Sequence, residues 1–198
     1  MNKNKPTRIF IHTTDADYEK IPNQFFAVNR WHKKRFGEYC KSSMGYYGGY
    51  HILISNGKEY RYREDREESC AAKGYNTSSL SVAIGFDGDI QMPKPKDIEL
   101  LKKRLRKWSD KYQIPLTSVE FVGPHRLVNH LKTCYGSLLS DDWGVKLMQE
   151  VEKDSSGKEN KETIENDRQF IIDALKDAIL RLTILVGEYT NLINKRNK

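Results

Sequence analysis

The stretch that most constrains the fold is Tyr50-His-Ile-Leu-Ile-Ser, then Asn56-Gly57, then Lys58-Glu-Tyr-Arg-Tyr-Arg. Asn-Gly suits the two positive φ angles of a type I′ turn, so these residues predict an antiparallel hairpin. Other short β-type runs surround it: Arg8-Ile-Phe-Ile-His-Thr, Leu80 to Phe86 ended by Asp87-Gly88-Asp89, and Val119-Glu-Phe-Val-Gly. Helical patterns separate them. Asn23 to Phe36 has Asn23 as a candidate cap and Phe25, Phe26, Val28, Trp31 and Phe36 as apolar surface. Lys96 to Tyr112 places Leu100, Leu101, Leu105 and Trp108 at helical spacing. A further helix is expected from Asp141 to Lys153. Strands interleaved with helices predict an α/β or α+β domain with a central mixed β-sheet flanked by helices.

Charge divides the chain of 198 residues. Residues 1–150 hold 25 basic and 18 acidic side chains, whereas residues 151–198 hold 9 of each. The whole net charge of +7 therefore belongs to the first part. Its densest patch is Lys102, Lys103, Arg104, Arg106, Lys107 and Lys111. That patch reads either as a solvated helix face or as attraction for a polyanion. The polar stretch from Glu152, with Ser155-Ser156-Gly157 at its centre, reads as a linker. The organisation expected is a domain over 1–150, a linker over 151–162 and an amphipathic helix over 163–198. No apolar run approaches the roughly 20 residues of a membrane span. The charged start leads into no apolar stretch, so synthesis in a cytoplasm without a signal peptide is expected.

Candidate chemistry rests on few residues. His12 ends one strand and His125 follows another; Cys134 lies nine residues further, with Lys132 two before it. Zinc accepts imidazole nitrogen and thiolate sulfur, and a catalytic site keeps three protein ligands with one position open. Spacing alone leaves two readings open, since neither HExxH nor a paired CxxC is present: a two-His-one-Cys zinc site, or structural histidines and an inert thiol. His32 and His51 read as structural, His130 as exposed loop, and Cys40 and Cys70 as reduced thiols.

The order of five short motifs resembles the zinc-dependent N-acetylmuramoyl-L-alanine amidases of type 2, which share a fold with peptidoglycan recognition proteins. Ile9-Phe10-Ile11-His12-Thr13-Thr14 resembles the opening strand of that family, and Arg30-Trp31-His32-Lys33 its Trp-His-Lys helix. Gly49-Tyr50-His51 with Asn56-Gly57 resembles its Gly-Tyr-His strand and hairpin. Ala72-Lys73-Gly74-Tyr75-Asn76 is similar to its Lys-Gly-Tyr-Asn segment. Gly123-Pro124-His125-Arg126 and Lys132-Thr133-Cys134 resemble its second-histidine loop and Lys-x-Cys segment. The resemblance runs from Arg8 to Trp143. It implies His12, His125 and Cys134 as ligands of one Zn2+ per chain, Tyr50 and Lys132 as catalytic helpers, and Lys73 and Asn76 as substrate contacts. It implies bacterial peptidoglycan as partner, cleavage between N-acetylmuramic acid and L-alanine, and an endolysin that reaches the cell wall after release. Tyr135 stands where the family commonly has Pro, Ala71 where relatives often carry His, and Ser81 replaces a common Gly.

The tail follows a different pattern. Ile172, Ile179, Val186 and Ile193 fall at heptad position a, and Leu175, Leu182 and Tyr189 at d. Ile171, Ala178, Leu185 and Leu192 widen the stripe, which suits a bundle between several copies or docking onto the first domain. A homo-oligomer through this helix is expected. The rival to the enzyme is a binding module: a non-catalytic peptidoglycan-recognition domain, or a nucleic-acid binder using Lys102 to Lys111. Nucleic acid is not expected as a partner.

Overall fold

Alternation along β1 (Arg8–Thr13) sets the two faces of the sheet. Ile9 and Ile11 enter the main core, together with Ile52, Ile54, Leu80, Val82 and Ile84 from the neighbouring strands. The helix α2 (Pro95–Tyr112) closes that face with Leu101, Leu105 and Trp108. Phe10 and His12 point the other way, their rings 6.3 Å apart. On that second face Leu53, Tyr62 and Ala83 pack against Phe25 and Val28 of α1 (Gln24–Phe36). The computed structural model describes residues 3–149.

The hairpin forms as its sequence predicts. β2 (Ile52–Ser55) pairs antiparallel with β3 (Lys58–Arg61), and Asn56 and Gly57 take φ of 55° and 72°. Buried Asp97 accepts the Gly57 N–H at 2.6 Å and the Asn56 N–H at 3.2 Å, which fastens the turn to the start of α2. With β4 (Ser79–Ile84) and β5 (Val122–Pro124), the five strands stand in the order β3-β2-β4-β1-β5. All pairings except the hairpin are parallel. The result is the mixed sheet flanked by helices that the sequence predicts.

Parallel pairing decides where the histidines go. Ile11 lies opposite Pro124, so His12 and His125, each one residue further on, leave the sheet side by side at its carboxyl edge. That edge is where open parallel sheets form their crevices.

Three local expectations change. Asn23 precedes α1 but its side chain makes no capping bond. β5 begins at Val122 rather than Val119, because Phe121 and Val122 both donate to the Ser118 carbonyl and so turn the chain. Cys40 and Cys70 are not separate thiols: they form a disulfide, with Cα atoms 5.9 Å apart. The reason lies in a contact between segments distant in the chain: Arg63 donates to the Cys40 carbonyl at 2.8 Å and to the Glu68 carbonyl at 2.5 Å, and so bridges the two segments.

Residues 143–149 are helical, the start of the expected closing helix. The linker over 151–162 and the amphipathic helix over 163–198, with the self-association expected of it, lie outside the described residues. Among the described residues no helix is long and apolar enough to cross a membrane.

Candidate metal centre and substrate cleft

A cavity of about 360 Å³ opens at the carboxyl edge of β1 and β5. His12, Tyr50, His125, Lys132 and Cys134 all line it, so the structure brings together five of the seven residues singled out in the sequence. A second cavity of about 390 Å³ shares Arg35, Phe36, Cys70, Ala71, His125 and Lys132 with the first, and Lys73 and Asn76 line it. The seven residues thus line two adjoining cavities that share a wall. A larger open hollow along α2 is lined by Glu99, Lys102, Lys103, Arg106, Lys107 and Asp110, with neither histidine nor cysteine. Burial of Leu101, Leu105 and Trp108 makes the charged side of α2 its wet face.

The donor atoms suit a soft-to-borderline divalent metal. The His12 and His125 rings lie 5.1 Å apart, and both Nε2 atoms are buried without a hydrogen-bond partner. A buried polar atom without a partner is costly unless something absent from the protein atoms completes it. Cys134, a buried free thiol, faces the same cavity. Among the described residues no group of three or more His, Cys, Asp or Glu side chains is arranged to hold a metal ion. By residue type the donor set nevertheless fits: two neutral imidazoles with unpartnered Nε2 atoms and one sulfur.

Electrostatics keep both imidazoles neutral, the Cys134 thiol protonated in the absence of a metal, and the Tyr50 phenol a proton donor. Burial, then the positive charge of Lys132, pulls His125 down to about 4. Burial and then His125 depress His12 well below the ordinary imidazole value. Both rings are neutral at pH 7, the form that coordinates a cation. Burial raises the Cys134 thiol, while hydrogen bonds from Thr13 and the charge of Lys132 pull the other way. Burial and then Cys134 raise the Tyr50 phenol, so it remains an O–H donor.

Tyr50 sits between two histidines, its ring 5.0 Å from His12 and 5.2 Å from His32. His32 is no ligand candidate: its Nδ1 accepts the Gly49 N–H at 2.7 Å, which fixes the peptide just before Tyr50. His51 is wholly buried between the Ser81 N–H and the Glu67 carbonyl, and His130 is exposed, as the sequence suggests. Asn76 spends its carbonyl oxygen on Ser69 Oγ and the Ala71 and Ala72 N–H groups. Only its amide nitrogen is left for a substrate. Sequence reasoning missed Asp15, Trp31 and Arg35, which also line the cleft. Asp15 follows the end of β1 and takes a φ of 49°, so its position at a strand end is the signal that could have found it.

Solved structures share this fold. The N-acetylmuramoyl-L-alanine amidase LysC from Clostridium intestinale URNW has a TM-score of 0.58 at 22% identity, covering 75% of this chain and 87% of that one. The Ph2119 endolysin from Thermus scotoductus MAT2119 bacteriophage Ph2119 has a TM-score of 0.55 at 18% identity, covering 73% and 86%. Human PGRP-IBETAC in complex with glycosamyl muramyl pentapeptide has a TM-score of 0.56 at 12% identity, covering 70% and 82%. No curated protein sequence matches the chain. The family described as N-acetylmuramoyl-L-alanine amidase (Amidase_2) matches residues 2–137. That span takes in every strand of the described residues, α1, α2 and all seven cleft residues, so the chain belongs to the N-acetylmuramoyl-L-alanine amidase family.

Proposed function

We propose that this chain is a zinc-dependent amidase that cleaves the bond between N-acetylmuramic acid and L-alanine in bacterial peptidoglycan, and that it serves as a phage endolysin. The observation that carries the reading is the pair of buried, unpartnered Nε2 atoms of His12 and His125 beside the free Cys134. These three residues would hold the metal. Zinc in such a site supplies hydroxide near neutral pH and polarises a carbonyl. The Tyr50 O–H donates to the oxygen that becomes negative as the amide carbon turns tetrahedral. Lys132, lining both cavities, brings positive charge to the same oxygen. Lys73 and the Asn76 amide nitrogen stand along the adjoining cavity, where the stem peptide would lie. A disulfide fits a protein whose work is done outside a reducing compartment.

Digestion of purified peptidoglycan tests the reading. New alanine amino termini without new reducing sugar ends are expected, lost on chelation, restored by zinc, and absent from Cys134→Ser. Tight binding that leaves the polymer intact would instead establish a recognition protein.

A further inference from the structure

Tyr50 is reached through two glycines, and both are held by other segments of the chain. The Gly48 carbonyl accepts from Arg63 Nη2 at 2.7 Å. The Gly49 N–H goes to His32, and the Gly49 carbonyl accepts the Cys70 N–H at 2.9 Å. A β-carbon on Gly49 would stand 2.8 Å from the Cys70 carbonyl oxygen and 3.3 Å from His32 Nδ1, so the fit tolerates no side chain. Two of these attachments trace back to Cys40. Its carbonyl accepts from the same Arg63 Nη2, and its sulfur is bonded to Cys70. Cys40 is fully buried, whereas Cys70 is part-exposed and lines both cavities of the cleft.

We propose that the Cys40–Cys70 disulfide is a positioning element for Tyr50, so that turnover rather than substrate affinity depends on its being closed. The inference rests on the reading that Tyr50 acts at the scissile carbonyl. Affinity is spared because the neighbouring loop holds its own shape. Asn76 ties Ser69, Ala71 and Ala72 together, and the Tyr75 N–H returns to the Ala72 carbonyl, none of which passes through the disulfide. Lys73 therefore keeps its place when the bond opens. Opening by a dithiol is balanced. One thiolate attacks Cys70 Sγ, Cys40 leaves as a thiolate and takes up a proton, and the second thiol resolves the mixed disulfide. The protein gains two electrons and two protons, and the dithiol becomes its cyclic disulfide.

The test uses the full chain, oxidised, reduced with a dithiol, and reoxidised with a small-molecule disulfide. Zinc content is measured in every sample, because dithiols bind zinc. The expected result is a fall in kcat of about 10- to 100-fold on reduction, the size that a misplaced catalytic group produces. KM should stay within about twofold, and reoxidation should restore kcat. Cys40→Ser/Cys70→Ser should sit at the low kcat and ignore the dithiol. Amide exchange across residues 47–52 should quicken in the reduced sample. Reduced, zinc-loaded enzyme with undiminished kcat, a loss carried by KM, or general unfolding on reduction would each overturn the proposal. Should oxidised enzyme release no alanine termini, the amidase reading fails by itself. The exchange measurement then decides the clamp, and unchanged exchange sinks it.

Discussion

Arg63 and Arg126 stand behind two different parts of the cleft lining, and each gathers backbone carbonyls, but they do so in different surroundings. Arg63 is 1% exposed and donates to the carbonyls of Cys40, Gly48 and Glu68; apart from the Cys40 sulfur at 3.9 Å, every acceptor it reaches is a carbonyl oxygen. Burial pulls its guanidinium down to about 10, against the opposing pull of Glu67 and Glu68. Arg126 is partly open to water, pairs with the Asp141 carboxylate at 2.5 Å, and holds the carbonyls of Gly136 and Leu139. The Tyr50 wall is thus organised by a cation dissolved in protein dipoles. The wall carrying Cys134 is organised by one that solvent can partly replace.

The largest effect should therefore come from Arg63. Arg63→Met keeps the stem but strands three inward-facing carbonyls, each costing about 1–3 kcal/mol if nothing replaces its donor. A loss of about 3–5 kcal/mol in unfolding free energy is expected by denaturant titration, allowing for partial relaxation. Arg126→Met should cost less than half of that, and equal losses would erase the contrast between the walls.

Acid should find the Arg63 side next. His51 accepts the Ser81 N–H at Nδ1 and meets the Glu67 carbonyl at Nε2, so it is held as one neutral tautomer. Burial, then the charge of Arg63, pulls it to about 4 from an ordinary 6.5. The unfolded chain therefore binds more protons below pH 6.5, and stability must fall as pH drops from 6.5 towards 4. The share owed to His51 is roughly 3 kcal/mol across that window. His32, His12 and His125 are depressed in the same direction, so the share is read as the difference between metal-free wild type and His51→Gln at pH 7 and pH 4.5. A difference that does not change with pH would show that His51 contributes nothing to acid sensitivity.

Much of the fold is legible in the sequence because short-range rules decide it. Asn56-Gly57 names its turn, Leu101, Leu105 and Trp108 name the buried side of α2, and alternation in β1 separates Ile9 and Ile11 from Phe10 and His12. His12, His125 and Cys134 could be singled out from residue type and the order of their motifs. What escaped was long-range. Nothing local in Glu38-Tyr39-Cys40 or Ser69-Cys70-Ala71 announces a common arginine, so the disulfide was invisible to an argument about redox compartment. Asp15, Trp31 and Arg35 escaped for a similar reason: their place in the cleft depends on how α1 and the end of β1 meet.

The smallest effect separates the two kinds of bond that Arg126 makes. The Asp141 side chain is 48% exposed, so its ion pair is screened by water and worth no more than about 0.5 kcal/mol. The carbonyls of Gly136 and Leu139 lie one and four residues beyond the buried Tyr135, which follows Cys134 directly and packs edge-on against Trp143 at 5.2 Å. Asp141→Asn should leave stability and zinc affinity nearly unchanged. Arg126→Met should weaken zinc binding by about 10-fold or more, the size of effect seen when the residues that orient a metal ligand are lost. Competition with a chromophoric chelator reads both variants on one scale. If Asp141→Asn weakened zinc as much as Arg126→Met, the ion pair rather than the carbonyl contacts would be what keeps Cys134 in place. The solvent-exposed wall would then depend on charge after all.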